Sequence, residues 1–223
     1  MIATAKIVDY DGEYLTVKPL VAIDRELLQK QVDIIEIRLT DGREISAEQR
    51  RKIFALVREI AVWSGHEPEY IRQYLEFDFR LLRNLKPFSL SDCDMSTARE
   101  FINYLIDFCF EHGVPTRDTL LNRTDDISKY LYSCLEHRRC AVCNDRADVH
   151  HTTAVGMGRN RDEIIHIGME AIALCRKHHQ QAHAEGNKFF ERYHIYGIKL
   201  DEYLCSVLNL NKGSKKYVGN KKM

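Results

Sequence analysis

Between Cys140 and His183 the chain packs three cysteines and six histidines into 44 residues. No other feature constrains the fold as strongly. Thiolates and imidazoles are the ligands of choice for Zn²⁺, and a segment tied by such an ion can fold around little apolar material. Cys140 and Cys143 form a C-x-x-C turn, which lets two thiolates face one tetrahedral ion. Cys175 and His178, in "LCRKHH", repeat that spacing. The two pairs together make a closed Cys3His set of the structural type. A thioredoxin-like redox pair is the competing reading, but it calls for a βαβ context that the residues around Cys140 do not supply.

That assignment leaves His150, His151, His179 and His183. "CRKHHQQAHAEG" reads as a helix stopped by Gly186. On it His179 and His183, four apart, share a face, while His178 lies about 100° round from His179. Neighbouring histidines can therefore serve different ions. "ADVHH" reads as a strand, where adjacent side chains point to opposite faces. One of His150 and His151 can then bind a metal while the other meets a substrate. A second ion held by His150, His179 and His183 would keep positions open, which is the form of a catalytic site. A plain zinc finger with extra surface histidines would account for the same residues.

The rest of the 223-residue chain fits an α+β fold. "AKIVDYDGEYLTVKP" carries Asp11-Gly12 between alternating runs, a hairpin signal, and "DIIEIRLTDGREI" reads as a further strand. Ser46 and Gln49 form a capping box that opens a helix with Ile53, Phe54, Val57, Ile60 and Ala61 at helical spacing, ended by Gly65. "EPEYIRQYLEFDFRLL" predicts a second helix. A third is expected to begin near Ser96 and stop at Gly113. Phe54, Trp63 and Tyr74 sit in these apolar patterns and are expected in the core. "ISKYLYSCLEH" predicts a connecting helix, and Phe189, Phe190, Tyr193 and Ile195 are expected to pack on the metal helix. Cys93, Cys109, Cys134 and Cys205 lack knuckle partners and read as buried thiols. The expected division is residues 1–120 as an N-terminal domain, 121–133 as connector, 134–208 as the metal domain and 209–223 as a basic, disordered tail.

Charge separates the two halves. Residues 1–133 carry 18 Lys+Arg against 23 Asp+Glu, and residues 134–223 carry 15 against 10, so a net of −5 balances a net of +5. The basic half is the one with the ligand cluster. Arg43, Arg50, Arg51 and Lys52 still gather locally in the acidic half and could form a basic patch. Arg159 and Arg161, in "GMGRNRDE", could make forked contacts to phosphates or lie on an exposed loop. Gly156 and Gly158 nearby fit a mobile loop between strands. No apolar run approaches the ~18 residues that span a bilayer, and "MIATAKIVDYDGEY" lacks an apolar signal core. An intracellular, cytoplasmic protein is expected.

"CAVC…VHH…LCRKHHQQAH" resembles the HNH endonucleases of the ββα-metal type, over about residues 134–200. The resemblance implies that His150, His179 and His183 hold a catalytic divalent cation and that His151 is the general base. It also implies a structural Zn²⁺ on Cys140, Cys143, Cys175 and His178. The family's middle Asn, which orients the base, corresponds here to Glu170, whose backbone carbonyl could still do so. An all-imidazole triad argues for Mn²⁺, Ni²⁺, Co²⁺ or Zn²⁺ ahead of Mg²⁺. Residues from Ser46 onward, including Gln49, Arg50, Lys52 and Glu100, resemble phage Orf/NinB-type recombination mediators, which are dimeric and bind single-stranded DNA. Together these resemblances imply a phage-type DNA endonuclease in recombination or processing, and a homodimer through the N-terminal domain. The alternative is a non-catalytic, zinc-stabilised mediator that binds single-stranded DNA.

Overall fold

The computed structural model describes residues 5–19, 43–152 and 165–210. The chain divides into two compact units, Met1–Leu39 and Thr40–Met223. In the first, β1 (Ala5–Tyr10) and β2 (Leu15–Pro19) pair antiparallel from Ala5↔Pro19 to Tyr10↔Leu15. The expected Asp11-Gly12 turn joins them. Asp11 Oδ1 accepts from the backbone N–H groups of Tyr14 (2.7 Å) and Glu13 (2.9 Å), and these hold its carboxyl below the usual carboxylate range. Most of the strand expected in "DIIEIRLTDGREI" lies outside the described residues.

The second unit begins with three helices. α1 (Ala47–Ser64) opens on the capping box: Ser46 Oγ accepts from Gln49 N at 3.1 Å, and Gln49 Oε1 accepts from Ser46 N at 3.0 Å. Gly65, at φ 73°, ends it in the left-handed conformation. α2 (Pro68–Arg83) follows, then α3 (Met95–His112), capped by Asp94 and closed by Gly113. Ile53, Leu56, Val57 and Ile60 of α1 bury against Ile71, Leu75 and Phe79 of α2 and Phe101, Ile102 and Leu105 of α3. Phe79 and Phe101 set their rings 5.2 Å apart at the centre.

Phe54, Trp63 and Tyr74 depart from expectation, because all three are exposed. Phe54 and Tyr74 each lie next along a helix to a residue that does reach the core, Ile53 and Leu75. One step turns a side chain about 100°, enough to carry it out of the packed face. Trp63 leans edge-on against Phe108 and beside His112.

α4 (Ile127–Glu136) connects this bundle to the metal-ligand region and shares its core, through Tyr130, Leu131, Cys134 and Leu135. β3 (Asp148–His151), β4 (Glu170–Leu174) and β5 (Ile198–Lys199) form an antiparallel sheet in the order β3-β4-β5. α5 (Arg176–Glu185) leaves β4 directly, and α6 (Asn187–Tyr193) and α7 (Glu202–Val207) complete the described chain. Gly197 lies so close to β3 that a Cβ there would stand 2.4 Å from Thr152 Oγ1. Phe189 and Ile195 are buried, with Phe190 and Tyr193 packed at the edge, as expected. Cys93, Cys109, Cys134 and Cys205 are buried. Among the described residues no helix is long and apolar enough to cross a membrane.

The buried Tyr130 hydroxyl ties α4 to the Cys140 turn. It donates to the Ala141 carbonyl at 3.0 Å and accepts from Asn144 Nδ2 at 2.7 Å. Tyr130→Phe leaves the buried Ala141 carbonyl without this donor and Asn144 Nδ2 with only the Cys140 carbonyl, at 3.3 Å. It is expected to cost about 1–3 kcal/mol in urea unfolding with little change in helix content, and an unchanged midpoint would contradict this reading of the link.

Candidate functional site

The first ligand set is built by a turn and a helix start. After Cys140 the backbone folds back through Asn144, whose N–H donates to the Cys140 carbonyl at 2.9 Å and whose φ is 63°. Asn144 Oδ1 also accepts from Leu120 N at 2.6 Å, and Ala141 N donates to Ala173 O at 2.9 Å. The turn is thus anchored to α4, to the Leu120 turn and to β4. Across from it, Cys175 is the N-cap of α5 and makes no side-chain capping bond. Its sulfur lies at the positive end of a helix, a favourable place for a thiolate.

Cys140, Cys143, Cys175 and His178 bring their ligand atoms within 4.8 Å of one another. Cys143 Sγ is 3.7 Å from Cys175 Sγ, and His178 Nδ1 is 3.3 Å from Cys140 Sγ and 3.2 Å from Cys175 Sγ. A Zn²⁺ tetrahedron with ordinary bond lengths has edges of about 3.7 Å between sulfurs and about 3.5 Å between sulfur and nitrogen. The four residues therefore fit one zinc ion closely. Burial pushes the Cys140 and Cys143 thiols above their ordinary value, so their thiolates require a cation beside them. His178 is backed by the rings of Phe189 and Tyr193 on α6.

The second set uses the other side of α5. His150, His179 and His183 have ligand atoms within 4.8 Å of one another. Their ring centroids are 4.5 Å apart for His150–His179 and 4.9 Å for the other two pairs. His150 is buried, His179 half-buried and His183 exposed, so the triad opens toward solvent on the His183 side. Burial, followed by the facing His179 and His183 rings and the adjacent His151, pushes the His150 imidazole down to about 4. Burial and His183 also lower His179, against an opposing pull from Asp148. Neutral imidazole is the form that binds a cation.

His151, next along β3, stands outside this triad, as strand alternation requires. Its Nε2 lies 3.0 Å from Nδ1 of His166. Burial, with a contribution from His166, lowers its pKa from the usual histidine value. No spacing signal marks His166 in the sequence, where it has no paired ligand. The Glu170 carbonyl accepts from Thr152 N at 3.0 Å and from Thr152 Oγ1 at 3.4 Å, which places it in the β3–β4 pairing.

Among the candidate DNA contacts, Arg51 is exposed and Arg50 half-buried. Lys52 bonds Asp125 at 2.5 Å, Glu48 at 3.1 Å and the Thr124 carbonyl at 3.2 Å, so its ammonium joins α1 to the chain before α4. Arg159 and Arg161 lie outside the described residues.

Two antiparallel strands followed by a helix, with imidazoles converging from the first strand and the helix, define the ββα-metal arrangement of HNH endonucleases. A family model described as "Putative HNHc nuclease" matches residues 20–211, and the chain belongs to that family. No curated protein and no solved structure matches it.

Proposed function

We propose that the protein is a metal-dependent endonuclease that hydrolyses DNA phosphodiester bonds, with His151 as general base. The observation that supports this most directly is the division of labour along β3. His150 turns toward two imidazoles of α5, while His151 stands outside that set with a lowered pKa. A zinc finger needs only the Cys3His cluster and has no use for a second, open triad.

His150, His179 and His183 would hold one divalent cation, with Mn²⁺, Ni²⁺, Co²⁺ or Zn²⁺ better matched to three imidazoles than Mg²⁺. Bound there, such an ion supplies Lewis acidity toward phosphate oxygens. His151, kept neutral by its surroundings, accepts a proton from water. The oxygen of that water bonds to phosphorus, and the bond to the 3′-oxygen breaks, that oxygen taking a proton from solvent water. The products are a 5′-phosphate and a 3′-hydroxyl. Cys140, Cys143, Cys175 and His178 hold the strand–helix junction in place around a structural Zn²⁺. Arg51 and the arginines at 159 and 161 are the candidate phosphate contacts, and a setting in DNA recombination or processing follows from the mediator-like N-terminal residues.

The test is cleavage of supercoiled, single-stranded and branched DNA by purified protein across a panel of divalent ions. Cleavage is expected to disappear after mild chelation and return with added Mn²⁺, Ni²⁺ or Co²⁺, while one zinc per chain resists removal. Protein that binds DNA and retains a single zinc, yet cuts none of these substrates with any ion, would favour a non-catalytic DNA-binding module.

A further inference from the structure

We propose that His166 is a positioning residue that fixes the tautomer of His151, an inference that rests on the nuclease reading above. The Nε2 of His151 and the Nδ1 of His166 are 3.0 Å apart, with ring centroids at 5.0 Å. Two ring nitrogens at that separation share one proton, so one ring donates and the other accepts. The chemistry asked of His151 decides which. Its Nε2 is engaged, so a water can be deprotonated only at Nδ1. Nδ1 is bare only when the ring's single proton sits on Nε2. His151 therefore donates, and His166 accepts through Nδ1 with its own proton on Nε2.

The local fold supports a dedicated seat for His166. His166 is 9% exposed, while Ile165 is 70% exposed and Ile167 45%. Hydrophobic burial would make the opposite choice. A polar ring has been turned inward where two isoleucines were available, and the partner it meets there is His151. The backbone beneath it is held on both sides. Met169 N donates to the His166 carbonyl at 3.0 Å, closing a turn whose third residue, Gly168, has φ 82°. Gly168 N donates to Leu200 O at 2.8 Å, and Leu200 N returns a bond to Met169 O at 2.9 Å. The acceptor is thus carried on a pinned turn. The Glu170 carbonyl, already bonded by Thr152, is left to the sheet.

The experiment compares wild-type protein with His166→Phe, which keeps a ring without an acceptor, and His166→Asn, whose Oδ1 can stand near the Nδ1 position. Each is assayed for kcat and KM on plasmid DNA, for bound metal and for the ¹⁵N shifts of the His151 ring nitrogens. His166→Phe is expected to lower kcat about 100-fold, with KM and metal content within about 2-fold of wild type. His166→Asn should restore kcat to within about 10-fold of wild type. In wild type the His151 shifts should show a bare Nδ1 and a protonated Nε2, and in His166→Phe a mixture of tautomers.

Wild-type kcat in His166→Phe would overturn the proposal. So would equal losses in both variants accompanied by lost metal, which would mark His166 as part of the scaffold. A wild-type protein that cuts no DNA would remove the nuclease reading. The ring shifts then decide the pairing by themselves: a protonated Nε2 upholds the assigned tautomer, and a bare Nε2 rejects it.

Discussion

His151→Ala is expected to abolish nicking of supercoiled plasmid, with a loss in rate of about 10²–10⁴-fold, while zinc content, divalent-ion binding and DNA affinity stay close to wild type. The geometry makes this separation possible. His151 and His150 are adjacent on β3, and the strand sends them to different surroundings: His150 joins His179 and His183, and His151 meets His166. Truncating His151 removes a proton acceptor and leaves the triad intact. His150→Ala serves as the contrast, since it opens the triad and should lose both cleavage and the exchangeable ion. The two variants should therefore be equally silent in the nicking assay yet differ by one bound ion per chain in elemental analysis. Undiminished cleavage by His151→Ala, in protein free of contaminating nuclease, would remove this residue as the base.

The features that could be read ahead of the structure are those encoded by residues close together in the chain. The Ser46–Gln49 box, Gly65, Gly113 and Gly186 each mark a helix end because capping and left-handed backbone are local demands. The split between His178 and His179 was equally legible, because one step along α5 turns a side chain away from the knuckle and toward the triad. What periodicity cannot say is which neighbour arrives to cover a given face. Phe54, Trp63 and Tyr74 looked like core for that reason and are exposed. His166 was invisible for a related reason. Its partner is fifteen residues upstream, and the flanking Ile165 and Ile167 suggest that the isoleucines, not the histidine, should turn inward.

Cys140→Ser is expected to remove one zinc per chain and, with it, the order of the region from the Cys140 turn through α5. Beyond its ligands, α5 buries little: His178 and Ala182 are its buried residues. The apolar contacts available to hold this helix against β3 and β4 are correspondingly few, so an ion held by the four ligands would be what closes the unit. Apparent zinc-binding energies of about 10–16 kcal/mol in small modules exceed the whole stability of many domains. Losing one of four ligands should therefore appear as insolubility, or as loss of amide protection across β3, β4 and α5, while Ile53, Leu56, Phe79 and Phe101 still pack α1 to α3 together. Cys134→Ser separates this cause from the ordinary cost of placing a hydroxyl in the interior. Cys134 is as fully buried as Cys140, and burial raises its thiol pKa too, but it stands outside the ligand set. That variant should lose about 1–3 kcal/mol and keep its zinc. A Cys140→Ser protein that retained a full zinc equivalent and melted like wild type would show that these four residues do not share an ion. The strand–helix junction that aims His150 at His179 and His183 would then need a different support.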